Sequence, residues 1–65
     1  MKKYIEIQRE AFVDGIIDAY NDYLNNSRKR FCIDDKEFLA KLYDLSYKYG
    51  YEKIYNILLL INKKI

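Results

Sequence analysis

Apolar positions along the chain recur at helical rather than strand spacing. Ile5, Phe12, Val13, Ile16, Ile17, Tyr20, Tyr23 and Leu24 fall within one broad arc of a 3.6-residue wheel. That predicts an amphipathic helix over about residues 4–25, its wide apolar face turned to the core. Gly15 sits at the edge of the arc, where a missing side chain lets another backbone approach. Asn25-Asn26-Ser27 then favour leaving the helix. Arg28-Lys29-Arg30 follow, and Phe31 and Ile33 are expected to tuck back onto the core.

Asp34-Asp35-Lys36-Glu37 reads as a second helix start, with Asp34 as cap and Glu37 three residues later as a capping box requires. Phe38, Leu39, Leu42, Leu45 and Tyr49 make the apolar stripe of this helix. Glu37, Lys41, Asp44 and Lys48 alternate in sign on its other face. Gly50 reads as the helix stop, in a left-handed position after the last turn. A third helix is expected from Tyr51 to Lys63. Its Tyr51, Ile54, Leu58, Ile61 and Ile65 repeat at 3-4-3-4 spacing, a seam suited to another helix. The expectation is an all-α single domain over 1–65, a small bundle of three helices near 4–25, 35–49 and 51–63, without strands.

Size changes the picture. A chain of 65 residues buries only about 60% of the surface its unfolded form exposes, so its stability margin is thin. Such chains need a disulfide, a metal or a partner. One cysteine, Cys32, excludes an intrachain disulfide, and carboxylates without histidine make a poor zinc set, so neither metal nor cofactor is expected. Cys32 itself reads as a small buried or half-buried apolar residue. Association is the remaining staple. Ile57, Leu59 and Leu60 widen the apolar surface of the last helix beyond what two short helices cover. Self-association, most simply a homodimer, is therefore expected through Ile54, Ile57, Leu58, Leu60 and Ile61.

No apolar run reaches the length of a membrane span, and acidic residues follow the N-terminal lysines too soon for a signal-peptide core. No membrane association and a cytoplasmic location are expected. Ile, Lys, Asn and Tyr, all encoded by A/T-rich codons, dominate the composition. That points to an A/T-rich bacterial genome, or to a phage or mobile element living in one.

Three patterns bear on function. Glu6, Glu10, Asp14, Asp18 and Asp22 recur at every fourth position and form an acidic ridge about 24 Å long on the first helix. It reads as a surface for a protein with a basic face, or as a solvated polar face. Arg28, Lys29 and Arg30 are the candidate nucleic-acid contact, supported by Lys2, Lys3, Lys63 and Lys64. A net charge of +2 is a modest balance for that role. Eight tyrosines form the third pattern. Tyr43 and Tyr47, between the apolar stripe and the charged face, suit a binding surface.

Leu45 to Ile54 resembles a DNA-binding helix-turn-helix: a helix, the turn at Gly50, then a helix, with Ser46 as the small residue four before the glycine. It departs from that pattern at Asn56, where a buried aliphatic belongs. No glycine-rich phosphate loop, paired-histidine motif or nucleophile with a base occurs, so no enzymatic activity is expected. The leading reading is a small protein-binding adaptor or inhibitor, of the kind a phage or mobile element uses to block a host nucleic-acid enzyme, working through the acidic face with Tyr43 and Tyr47. A small DNA-binding regulator using the basic loop is the second reading. A structural assembly subunit is the third.

Overall fold

A computed structural model describes residues 2–34 and 36–63. The fold is all-helical, but the described residues form two helices rather than three: α1 (Lys2–Leu24) and α2 (Phe38–Lys63). The expected break at Gly50 does not occur, because Gly50 keeps an ordinary helical φ. Its role is contact. A Cβ on Gly50 would lie 2.6 Å from the Phe12 carbonyl oxygen of α1. The glycine lets the two helices approach, and the helix runs straight through it.

The capping box is also displaced. The Lys41 N–H donates to the Glu37 carbonyl at 3.0 Å. That places Glu37 at the cap, three residues beyond Asp34, and helix α2 begins at Phe38. Of the residues in the expected box and seam, Asp35 and Ile65 lie outside the described residues, as does Lys64 of the basic terminus.

Helix α1 ends where the asparagines stand. Asn26 adopts a left-handed φ of 57°. The Ser27 N–H donates to the Asp22 carbonyl at 2.8 Å and the Asn26 N–H to the Tyr23 carbonyl at 3.2 Å. This pair of bonds is the Schellman termination, with asparagine in the position glycine usually takes.

The two helices run in the same direction. Asp14 pairs with Tyr43, Asp18 with Tyr47 and Asp22 with Tyr51, each 29 positions apart. A constant difference, rather than a constant sum, means parallel axes. Tyr4 meets Phe38 at one end and Tyr23 meets Tyr55 at the other. Residues 25–37 must therefore return over the whole length of the pair, about 30 Å. An extended chain covers about 3.3 Å per residue, so this strap reaches only by staying open.

The contact face of α1 is built from small residues. Ala11, Gly15 and Ala19 lie one turn apart, and both alanines are fully buried. A Cβ on Gly15 would strike the Tyr47 carbonyl and lie 2.9 Å from the Tyr51 nitrogen. Opposite them sit Tyr51 and Tyr55, the buried aromatics, with Tyr23, Phe31, Tyr47 and Ile54 packed around. The result is a thin, long body of 43 × 23 × 15 Å.

Candidate functional site

The face between the helices carries a ladder. Tyr43, Tyr47, Tyr51 and Tyr55 stand one turn apart on α2. Neighbouring rings stack with centroids 6.4, 6.2 and 5.8 Å apart and interplanar angles of 15–25°. On α1, Asp14, Asp18 and Asp22 have the same period. The Tyr43 hydroxyl donates to Asp14 Oδ2 at 2.7 Å, Tyr47 donates to Asp18, and Tyr51 donates to Asp22 at 2.6 Å. Tyr55 completes the series by donating to the Ser27 carbonyl at 2.6 Å.

The environment holds these phenols neutral. Tyr43 is pushed up to about 12, first by the hydrogen bond to Asp14 and then by burial. Burial and the bond to Asp18 also raise Tyr47. Tyr51 rises to about 12 through burial and Asp22, with the Lys29 N–H working in the opposite direction.

The strap lies on this ladder. The Lys29 N–H donates to the Tyr51 hydroxyl at 2.8 Å, so Tyr51 accepts from the strap while it donates to α1. The Arg28 guanidinium lies 4.8 Å from the centre of the Tyr55 ring and Lys29 Nζ lies 5.8 Å from that of Tyr47. Phe31 packs edge-on against Tyr47 and Tyr51, with centroids 6.0 and 5.2 Å away. Ile33 is half-buried. Cys32 is exposed and unpaired, not tucked into the core as its residue type suggested.

The structure thus brings together residues that sequence reasoning kept apart as rival patches. Asp14, Asp18 and Asp22 of the ridge are half-buried and each uses one carboxylate oxygen within the chain. Glu6 and Glu10 are exposed. Tyr43 and Tyr47 are partners of the ridge. Tyr51 and Tyr55 belong to the same ladder, and sequence reasoning missed that. The signal was present: an acceptor series on one helix and a donor series on another share the same four-residue period, so the two can pair along their whole length.

No family model matches the chain. Neither a curated protein nor a solved structure matches it.

Tyr4, Phe12 and Tyr23 of α1 meet rings of α2, but four other large apolar residues of α1 point away from it. Val13, Ile17, Tyr20 and Leu24 are 44, 52, 52 and 61% exposed, on the side opposite Ala11, Gly15 and Ala19. Beside them an open groove of about 580 Å³ is lined by Ile5, Gln8, Arg9 and Phe12 of α1 and by Leu42, Leu45, Ser46 and Tyr49 of α2.

Of the residues expected to mediate self-association, Ile54 packs against the core and Leu58 is half-buried. Ile57, Leu60 and Ile61 are exposed. Tyr23 is level with Tyr55, so α2 projects roughly 10 Å beyond the end of α1, and those three stand on the projection. Among the described residues, no helix is long and apolar enough to cross a membrane.

Proposed function

We propose that this chain is a small, non-enzymatic protein-binding module whose working surface is the outward apolar face of α1, continued by the projecting end of α2. The observation that carries the reading is the stripe Val13, Ile17, Tyr20 and Leu24, each side chain more than two-fifths exposed. Soluble domains rarely leave a contiguous apolar strip of this kind uncovered. The acidic ridge offers less than its sequence pattern suggested, since three of its carboxylates already accept tyrosine hydroxyls. A basic partner would find Glu6 and Glu10 free. The exposed thiol of Cys32 fits a reducing, cytoplasmic setting.

The first occupant of the face is a second copy. The stripe has 4-3-4 spacing, which reads the same in both directions. Two α1 helices laid antiparallel would match Val13 with Leu24 and Ile17 with Tyr20, a self-complementary seam of the kind a two-fold interface needs. Charge favours the same direction. A parallel pairing would set Glu6 against Glu6 and Glu10 against Glu10, whereas the antiparallel one sends them to opposite ends.

Light scattering on a size-exclusion column tests this. The protein should elute as a dimer at micromolar concentration. Ile17→Glu should convert it to a monomer without changing its circular dichroism, because Ile17 faces away from α2. A wild-type monomer would refute self-pairing and leave the face to a different protein. If Ile17→Glu unfolds the monomer, the face is core and the reading fails.

A further inference from the structure

The strap does more than close the fold. Where it crosses α2 it leaves a hollow of about 520 Å³, lined by Arg28, Lys29, Arg30, Phe31, Lys48 and Glu52. That volume lies within the range of small-ligand sites. Four basic residues and one acidic residue line it, so its lining is net positive although the whole chain carries only +2. Like charges gathered around a single lining carboxylate repel, and the fold holds them together because other contacts fix the backbone.

Here the fixing contacts are identifiable. Tyr55 binds the Ser27 carbonyl at 2.6 Å, and the Lys29 N–H binds the Tyr51 hydroxyl at 2.8 Å. Arg28 lies over Tyr55 and reaches Asn56 Oδ1 at 3.4 Å. Phe31 wedges against Tyr47 and Tyr51. Anchored at 27, 28, 29 and 31, the strap presents three consecutive basic residues to Lys48 on the helix below. Their ordering is already supplied by the fold, which is what makes a charged site bind rather than merely attract.

We propose that this hollow binds phosphate groups. Two guanidinium forks together with two ammonium groups suit an anion with more than one charge and several acceptor oxygens. A single carboxylate would leave most of the positive charge unanswered. The ligand is an oligophosphate, whether free or as the backbone of a single strand of nucleic acid. Glu52 opposes it and sets an upper limit on affinity.

The site is independent of the apolar face of α1 and is tested separately, by calorimetric titration of the intact chain in phosphate-free buffer at low salt. The probes are tripolyphosphate and a short single-stranded oligonucleotide. Saturable binding with one site per chain is expected. Arg30→Gln and Lys48→Gln should each weaken it about ten- to hundred-fold, the loss of one charge-assisted bond. Lys53→Gln removes the same charge elsewhere on α2 and should change it little. Glu52→Gln should tighten it, an effect that a purely structural role for the strap would not produce.

Tripolyphosphate that binds and displaces the oligonucleotide identifies the free ligand as sufficient. An oligonucleotide that binds alone, with steep salt dependence, identifies the nucleic-acid backbone. The proposal is overturned if neither probe saturates at millimolar concentration, or if Lys53→Gln weakens binding as much as Lys48→Gln.

Discussion

Gly50→Ala is the sharpest test of how the helices meet. In an isolated helix this change stabilises by up to about 1 kcal/mol. Here the new Cβ would lie 2.6 Å from the Phe12 carbonyl oxygen and 3.1 Å from its Cδ1. An unstrained carbon–oxygen contact needs about 3.3 Å. The obstacle is backbone, so the helices must separate by several tenths of an ångström. Separation loosens the packing at Ala11, Gly15 and Ala19 and stretches the Tyr51–Asp22 hydrogen bond. Overpacking of this kind costs about 1–3 kcal/mol, and a rigid obstacle puts it at the upper end. After the propensity gain, the net loss is about 2 kcal/mol. A chain of this length has roughly 3–10 kcal/mol in all, so the melting temperature should fall by about 10 °C.

Urea and thermal unfolding followed by far-ultraviolet circular dichroism give the number, at one fixed protein concentration because association shifts the midpoint. Gly50→Asn separates this account from a helix stop. At a left-handed position asparagine is the best substitute for glycine and alanine the poorer one. At a helix contact asparagine is larger and does more damage. The reasoning is refuted if Gly50→Asn is as stable as Gly50→Ala, or if Gly50→Ala is more stable than the parent.

Two further outcomes follow from the ladder. Tyr47→Phe keeps the ring but leaves Asp18 without its donor, and should cost about 1.5–3 kcal/mol in urea unfolding. Tyr20→Phe, on the exposed face, should stay within about 0.5 kcal/mol. In alkali the sign is fixed by the raised phenols. Tyr43 and Tyr51 ionise near 12 in the fold against 10.0 otherwise, so their contribution is complete below pH 10 and is lost as pH rises from 10 towards 12. Tyrosinate absorbance should therefore rise in that window together with loss of helix. Free titration of all eight tyrosines at pH 10 in a folded chain would contradict the ladder.

Much of the helical character was legible, and the reasons for the misses are specific. Periodicity located α1, and Asn25-Asn26 marked its end. Gly50 misled because glycine serves both to turn a chain and to let two helices touch, and the sequence does not distinguish these uses. The apolar arc of α1 misled for a related reason. Amphipathicity tells which face is apolar, and the usual inference is that this face meets the rest of the chain. In this protein the closest contact is made by Ala11, Gly15 and Ala19, with Phe12 and Tyr23 at its edge, and Val13, Ile17, Tyr20 and Leu24 face out. The acidic ridge looked solvated because the tyrosine ladder that receives it lies 29 positions away, beyond the reach of local pattern reading.

What sets the register of the helices is a separate matter from what holds them. The hydrogen-bond ladder is nearly degenerate: a slip of one turn would still set Asp14, Asp18 and Asp22 against Tyr47, Tyr51 and Tyr55. The glycines break that degeneracy. Gly15 lies at the Tyr47 carbonyl and Gly50 at the Phe12 carbonyl, and after a slip an alanine would face one of those oxygens. The strap adds a second lock through Ser27 and Tyr55. Exchanging positions, with Gly15→Ala and Ala19→Gly in one chain, conserves composition and helix propensity. It places a methyl at the closest approach and a hole one turn away. If the glycine fixes the register, this isomeric chain should lose about 2 kcal/mol or more in urea unfolding. Equal stability of the exchanged and parent chains would mean that the tyrosine–aspartate ladder and the strap set the register without the glycine.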